Sequence, residues 1–401
     1  MTNYNRVRIS KLAIGLAIAL AAAPAFAQNT TSALGGRISG ASGQAISGAD
    51  VVITHTESGS VSHATTDADG RFLARGLRVG GPYTITTTKD GKTETREGVY
   101  LELAQTGNVD IKFSDTTTLS AVEVKGSSLS EVFDSKKMGA GTSINREKLT
   151  TFASVQRNLQ DYARLDPRLS QTDKGRGEIS AGGQNSRFNS ITIDGVTTND
   201  TFGLEANNLP TLKQPISIDA IQSVQVNISN YDVTQMGYTG ANINAVTKSG
   251  TNDFKGSVYY VYRNDTLSGD RYDRASNVYN APADFKEDTK GFTFGGPILE
   301  DNLFFFTSYE QLKSTRASPA FGTIGSGLTS AGISDTTVAN AQNVARTTWG
   351  MNGTSFDDVG ELNPEGGLLD VTDALIKLDA NIGERHRASL RWSKTEQSEP
   401  L

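Results

Sequence analysis

The chain has 401 residues, 36% hydrophobic and 20% charged, with a formal net charge of -6 and no cysteine. This length suggests two or three domains. A mean hydropathy of -0.36 excludes a bundle of apolar membrane helices but not a transmembrane β-barrel, whose strands put only every second side chain into lipid. Without cysteine there are no disulfides, thiolate metal sites or cysteine nucleophile. The absence of a long basic block argues against nucleic acid as a partner.

Residues 1–27 read as a secretory signal peptide. Arg6, Arg8 and Lys11 supply the positive region, and Leu12 to Ala23 is an apolar run too short for the roughly 20 residues of a membrane helix. Ala25–Phe26–Ala27 is an A-x-A site, so cleavage is expected between Ala27 and Gln28.

Residues 28–113 form the first folded module. Strand-like bursts at Val51–Thr54, Arg71–Ala74, Tyr83–Thr87 and Val99–Leu103 alternate with Gly and Asp turns. That cadence predicts a small antiparallel β-sandwich. The segments G-x-I-x-G (36–40), G-A-D-V-V-I (48–53), the turn at 66–72 and G-P-Y-T-I (81–85) resemble the carboxypeptidase regulatory-like, transthyretin-type domain. Asp67–Ala68–Asp69–Gly70 starts like a calcium loop, but Phe72 and Arg78 stand where an EF-hand needs Gly and Glu, so a turn is expected. The three histidines, His55, His63 and His386, show no zinc-ligand spacing. His55 and His63 flank a hairpin tip and are expected to be exposed loop residues. The sequence predicts no catalytic residue, no metal site and no cofactor.

Residues 114–142 read as a linker rich in Ser, Thr and Gly. One β-favouring island interrupts it: Leu119, Ser120, Ala121, Val122, Glu123 and Val124. An extended segment with free backbone groups can add to the sheet edge of a partner. The other reading is that this island is the first strand of the next domain.

From 143 to 250 the chain is expected to form an α+β domain. Leu149, Phe152, Val155, Leu159 and Tyr162 recur at helical spacing and predict one helix over Glu147–Leu165, ended by Pro167. Short strands are expected at Ile191–Ile193, Ile216–Ile218, Val224–Val226 and Ile243–Val246, with Asp194–Gly195 as a tight turn. So many Gly and Asn residues leave few long side chains to bury, so the domain is expected to be marginally stable alone. The runs ITIDGV (191–196), ISIDAIQSVQV (216–226) and GYTGANINAVTKSG (237–250) together resemble the plug domain of TonB-dependent outer-membrane receptors. The resemblance singles out Asp194, Gly195, Gly237, Gly240, Lys248 and Gly250. It departs from the family at Ala181–Gly182, where Arg-Gly is common, and at Gln225, where Glu is common. In the same family the island at 119–124 would be the TonB box.

After Gly250 the pattern changes. In Phe254–Arg263, Gly256, Val258, Tyr260 and Tyr262 fall on one face, and Lys255, Ser257, Tyr259 and Arg263 on the other. That alternation suits a barrel strand between lipid and interior. Further strands are expected at 289–297, 302–313, 370–382 and 385–394, with loops at 265–288 and 314–369. The F-G-G-P-I-L-x-D-N-L-F-F-F run at 294–306 is similar to receptors called Oar-like, which also carry the N-terminal module. Five strands cannot close around a plug, so 251–401 is expected to be the start of a barrel and the chain the N-terminal part of a longer protein.

The resemblance implies a multi-domain fold: an all-β sandwich, an α+β plug and an incomplete transmembrane antiparallel barrel. It implies energy-coupled uptake of an extracellular substrate through the outer membrane of a Gram-negative bacterium, with membrane lipid and the TonB–ExbB–ExbD complex as partners. The competing expectation is an outer-membrane-anchored adhesion or surface-interaction protein without transport.

Overall fold

In the computed structural model, residues 30–398 are described apart from 104, 114–139, 153, 155–156, 164, 174–176, 214, 230–237, 275–276, 283, 317–320, 326–328, 331, 351–367 and 384–385. Two compact units divide the chain: one of residues 1–212 and 221–248, the other of 213–220 and 249–401.

The first unit begins with β1 (Ser32–Ser39), β2 (Asp50–His55), β3 (Ser60–Thr65), β4 (Arg71–Leu77), β5 (Gly80–Lys89), β6 (Lys92–Leu101), β7 (Thr106–Asn108) and β8 (Ile111–Lys112). They make two four-stranded sheets, one of order β3-β2-β5-β6, the other β4-β1-β7 with β8 also on β1. Leu34, Ile38, Val51, Ile53, Phe72, Leu77, Tyr83, Ile85 and Ile111 form one buried core. The period of two in β2 puts Val51 and Ile53 into that core. It puts His55 there too, which corrects its expected place in an exposed loop. His55 is buried, its Nδ1 is 2.8 Å from Ser58 Oγ, and its ring meets Tyr83 edge-on. The run Asp67–Gly70 is a turn, with Asp67 Oδ1 accepting from the backbone N–H groups of Asp69 and Arg71.

The same unit continues with β9 (Ala140–Ile144), α1 (Arg146–Thr151), α2 (Leu159–Ala163), β10 (Leu169–Asp173), β11 (Glu178–Ala181), β12 (Ser190–Ile193), β13 (Val196–Thr197), β14 (Ile221–Ser229) and β15 (Asn242–Thr247). A mixed sheet of order β13-β12-β15-β14-β9 is its centre, with β12 and β15 parallel. Strand β9 begins at Ala140, inside the stretch expected to be linker. The single helix expected over Glu147–Leu165 does not form. The hydroxyls of Thr150 and Thr151 bond back to the carbonyls of Arg146 and Glu147, and Phe152 is already extended. Arg157 takes a φ of 52°, and Asn158 Oδ1 accepts from Asp161 N to start α2. Leu149, Leu159 and Tyr162 are nonetheless buried, as the apolar spacing requires.

The second unit holds β16 (Lys255–Asn264), β17 (Arg271–Asp273), β18 (Val278–Asn280), β19 (Phe285–Leu299), β20 (Leu303–Arg316), β21 (Phe321–Gly322), β22 (Thr329–Ser330), α3 (Asp335–Thr348), β23 (Leu368–Ile382) and β24 (His386–Ser398). Five long strands make an open antiparallel meander, β16-β19-β20-β23-β24. Each covers one of the five expected strands. Register puts Val258, Phe292, Tyr309 and Ala374 in one row, and Phe294, Thr307, Ile376 and Trp392 in the next. Most of these apolar side chains are exposed, Val258 at 88%. Tyr259, Glu310, Asp373 and Thr395 share a row on the opposite face. One face thus suits lipid, the other a polar interior. Helix α3, in the 314–369 loop, was not anticipated; Ser334 caps it by accepting from Thr337 N.

Candidate functional site

The turn between β12 and β13 needs positive φ at both central residues, 47° at Asp194 and 79° at Gly195. This is the two-residue hairpin for which Asp-Gly is suited, because Asp tolerates the left-handed region and Gly adopts it freely. The Asp194 carboxylate does more than tolerate the turn. It accepts from Thr247 N (2.8 Å) and Thr247 Oγ1 (2.6 Å), tying the hairpin to the end of β15. Lys248, half-buried, follows directly and ends the first unit.

Gly240 is buried where a Cβ would come within 2.4 Å of Asn189 Oδ1. That oxygen accepts from Ala241 N, and Asn189 Nδ2 donates to the Ile179 carbonyl. Asn199 Nδ2 and Asn208 Nδ2 both donate to the Asn189 carbonyl. The asparagines therefore act as backbone substitutes inside the domain, satisfying groups that have no ladder partner. Beyond them, Asp200 accepts from the N–H groups of Phe202, Leu204 and Glu205. The bond from Glu205, with those from Phe202 and Leu204, outweighs desolvation and holds the Asp200 carboxyl below its ordinary range. The loop it organises displays Phe202 and Leu204 to solvent.

Asp166, wholly buried, bonds to Arg168 and accepts from Thr142 Oγ1 on β9 at 2.9 Å. Burial pushes its carboxyl up, but the Arg168 and Thr142 bonds prevail and the net shift is downward. The carboxylate stays charged and ties β9 to the segment around Asp166.

The run Ile216–Ser217–Ile218, expected as a strand, is a loop that ends in a single 3₁₀ turn over Ile218–Ala220. Asp219 N bonds the Ser217 hydroxyl, a local turn that competes with extension. Residues 213–220 belong to the second unit, where Lys213, Pro215 and Ser217 meet polar residues of its sheet. Ser217 Oγ is 2.7 Å from Tyr259 Oη and 2.9 Å from Glu310 Oε2, and Tyr259 donates to Glu310 at 2.6 Å. Thr395 Oγ1 lies 3.1 Å from the Pro215 carbonyl and 2.6 Å from Asp373 Oδ1. Lys213 and Arg263 both pair with Glu287. Tyr259 can lie across β19 because residue 291 is glycine; a Cβ there would stand 2.3 Å from the tyrosine oxygen. Gly250 packs on the same sheet, where a Cβ would be 2.3 Å from the Phe305 carbonyl oxygen.

Of the residues singled out by sequence, Asp194, Gly195, Gly240, Lys248 and Gly250 are thus placed, each at a close approach, a turn or a unit boundary. Leu119–Val124, Ala27, Gln28 and Gly237 lie outside the described residues. Sequence reasoning missed Asn189, Ser217, Tyr259, Glu310 and Thr395. The inward residues of β16, β20 and β24 carried a signal in their strand parity, but nothing local marked Ser217 as their partner.

A model of the outer membrane beta barrel domain matches residues 246–365, and one of the carboxypeptidase regulatory-like domain matches 33–114. The TonB-dependent transporter Oar of Myxococcus xanthus is 30% identical over 317 residues, which is 73% of this chain and 28% of that protein. The chain therefore spans little more than a quarter of that relative's length. Among solved structures, the outer membrane transporter YddB from Escherichia coli is 15% identical with a TM-score of 0.44, over 65% of this chain and 33% of YddB. The siderophore receptor PirA from Acinetobacter baumannii is 16% identical with a TM-score of 0.42, over 65% and 32%. Both scores are too low to establish a shared arrangement. The matched transporters are not enzymes. The chain is a homologue of TonB-dependent transporters of the Oar type, with a carboxypeptidase regulatory-like domain ahead of outer membrane β-barrel sequence, and it is an outer-membrane protein of a Gram-negative bacterium.

Proposed function

We propose that the chain supplies the periplasmic module, the plug and the first wall strands of an energy-coupled outer-membrane transporter. In this reading residues 1–27 are removed after Ala27, 28–113 form a transthyretin-like sandwich, and the linker runs from 114 up to the start of β9 at Ala140. The plug runs from there to Gly250, and 251–401 begin the barrel. The observation that carries the reading is the five-stranded sheet. One of its faces offers Val258, Phe294, Ile376 and Trp392 to lipid, while the other grips 213–220 through Tyr259, Glu310 and Thr395. A transporter of this kind needs no nucleophile or cofactor. It needs a population shift: an extracellular substrate favours the state in which Leu119–Val124 is free to pair with TonB. Pairing through main-chain groups demands little of the sequence, which accounts for so short a motif. The TonB–ExbB–ExbD complex then does work on the plug.

The test is cross-linking. A photo-activatable side chain at position 122, in cells producing the complete protein, is expected to capture the TonB periplasmic domain. Deleting 119–124 and placing the probe at Ser128 is expected to reduce capture to background. Capture unchanged by the deletion would refute the assignment.

A further inference from the structure

One outer face of the sandwich carries a charge that its own fold does not balance. Strand β4 puts Phe72 and Ala74 into the core, so Arg71, Leu73 and Arg75 stand on the outer face. All three are exposed, Leu73 at 49%. The ladder sets Arg71 directly opposite Arg37 on β1, while Leu73 and Arg75 face Gly35 and Ala33. Like charges in opposed positions cost stability. Among the described residues no ion pair involves Arg37, Arg71 or Arg75. Arg37 Nε donates to the Asp69 carbonyl at 3.3 Å, and Asp110 Oδ1 accepts from the Arg37 backbone N–H. The chain as a whole carries a net charge of -6, so this row of arginines is a local reversal of sign.

The backbone of the same strand faces off the sheet. Among the described strands β4 is at the edge and pairs only with β1. Ile38 N donates to the Gly70 carbonyl. The antiparallel alternation therefore turns the backbone groups of Phe72 and Ala74 toward β1, and those of Arg71, Leu73 and Arg75 away from it. At Arg71 both outward groups are taken. Its N–H donates to Asp67 Oδ1 and its carbonyl accepts from Asp67 N, each at 2.8 Å. Asp67 thus stands where the first residue of an added strand would, with its carboxylate as acceptor. The rungs at Leu73 and Arg75 continue that edge.

We propose that the β4 edge is a docking site for an extended acidic segment of another protein, one with a carboxylate two residues before and two residues after an apolar residue. A strand laid beside β4 has the same period of two, so its alternate side chains fall beside Arg71, Leu73 and Arg75. Arg71 and Arg75 are four residues apart along the strand, about 13 Å at ~3.3 Å per residue. The two carboxylates of such a segment have the same spacing. Main-chain pairing holds the segment, and the guanidinium groups select its charge. A phospholipid surface fits worse, because it would also meet the exposed acids Asp69 and Asp110 beside Arg37. The inference concerns the sandwich alone and does not rest on the transport reading.

The experiment titrates the complete protein, purified in detergent, into a fluorescein-labelled peptide, S-D-T-L-T-D-S, at low ionic strength, with anisotropy as the readout. Saturable binding is expected, and added salt weakens it. The same residues reordered as D-D-T-L-T-S-S are expected to bind about tenfold more weakly. Arg71→Glu with Arg75→Glu is expected to weaken binding of the first peptide about tenfold, and to bind its lysine counterpart, S-K-T-L-T-K-S, in its place. A damaged fold would not gain the lysine peptide. Four results would overturn the proposal: no saturable binding, equal binding of the two aspartate orders, an assembled glutamate variant that ignores the lysine peptide, or retention on phosphatidylglycerol vesicles without peptide binding. Should the glutamate variant fail to assemble, the two aspartate peptides on the native protein decide alone.

Discussion

Gly250→Ala is expected to destabilise the assembled protein by about 1–3 kcal/mol, toward the upper end of the range for overpacked sites. The added Cβ would lie 2.3 Å from the Phe305 carbonyl oxygen, 2.8 Å from that of Gly296 and 3.0 Å from Phe304 Cβ. Two of these three neighbours are backbone atoms of paired strands, Gly296 facing Phe305 in the ladder. No side-chain rotation can make room, so the ladder or the incoming chain has to shift. Phe304 is fully buried, which closes the third direction. The measurement is the urea midpoint for loss of protease resistance in membranes. Gly269 is the control, since a Cβ there meets nothing within 4 Å. Its alanine variant is expected to stay within about 0.5 kcal/mol of the parent. Equal midpoints for the two variants would mean that Gly250 does not pack against the wall.

Asp194→Ala is expected to cost about 2–4 kcal/mol. Two bonds to a charged acceptor vanish, those from Thr247 N and Thr247 Oγ1. Alanine must also take the left-handed backbone that Asp194 holds at φ 47°. The two losses share one consequence, because the hairpin and the end of β15 come apart together. Asp194→Asn keeps the backbone tolerance and one acceptor oxygen, so about half of the loss is expected. The measurement is hydrogen exchange at the Thr247 amide. Protection unchanged in the alanine variant would show that the turn is held by its neighbours and not by the carboxylate.

The strands with strict alternation were legible in the sequence. From Lys255 to Ser398, all five wall strands were found because a lipid face and a polar face differ at every residue. Of the eight strands before residue 113, β2, β4, β5 and the end of β6 were marked by apolar bursts between turns, whereas β1, β3, β7 and β8 were not, and the two adjacent glycines in Ser32–Ser39 interrupt any such burst. His55 was misplaced for the opposite reason. Its local surroundings look like a hairpin tip, whereas strand parity assigns it to the core. The helix over Glu147–Leu165 failed because apolar spacing records which side chains are buried and not whether the backbone runs on unbroken. The site was half legible. Asp194, Gly240 and Gly250 were marked by chemistry that only their residue types allow. Ser217, Tyr259, Glu310 and Thr395 are brought together from positions up to 178 residues apart, and no local pattern encodes such a meeting.

One face of the five-stranded sheet is expected to touch lipid and the other a polar interior. Single cysteines carrying a fluorophore, placed along β16 in the complete protein and read in membranes with brominated lipid, test it directly. Val258 and Tyr260 positions are expected to be strongly quenched, and Ser257 and Val261 positions spared. Val261 is the decisive site, because its side chain is apolar yet its parity points inward with Tyr259. Quenching at Val261 equal to that at Val258 would contradict the account.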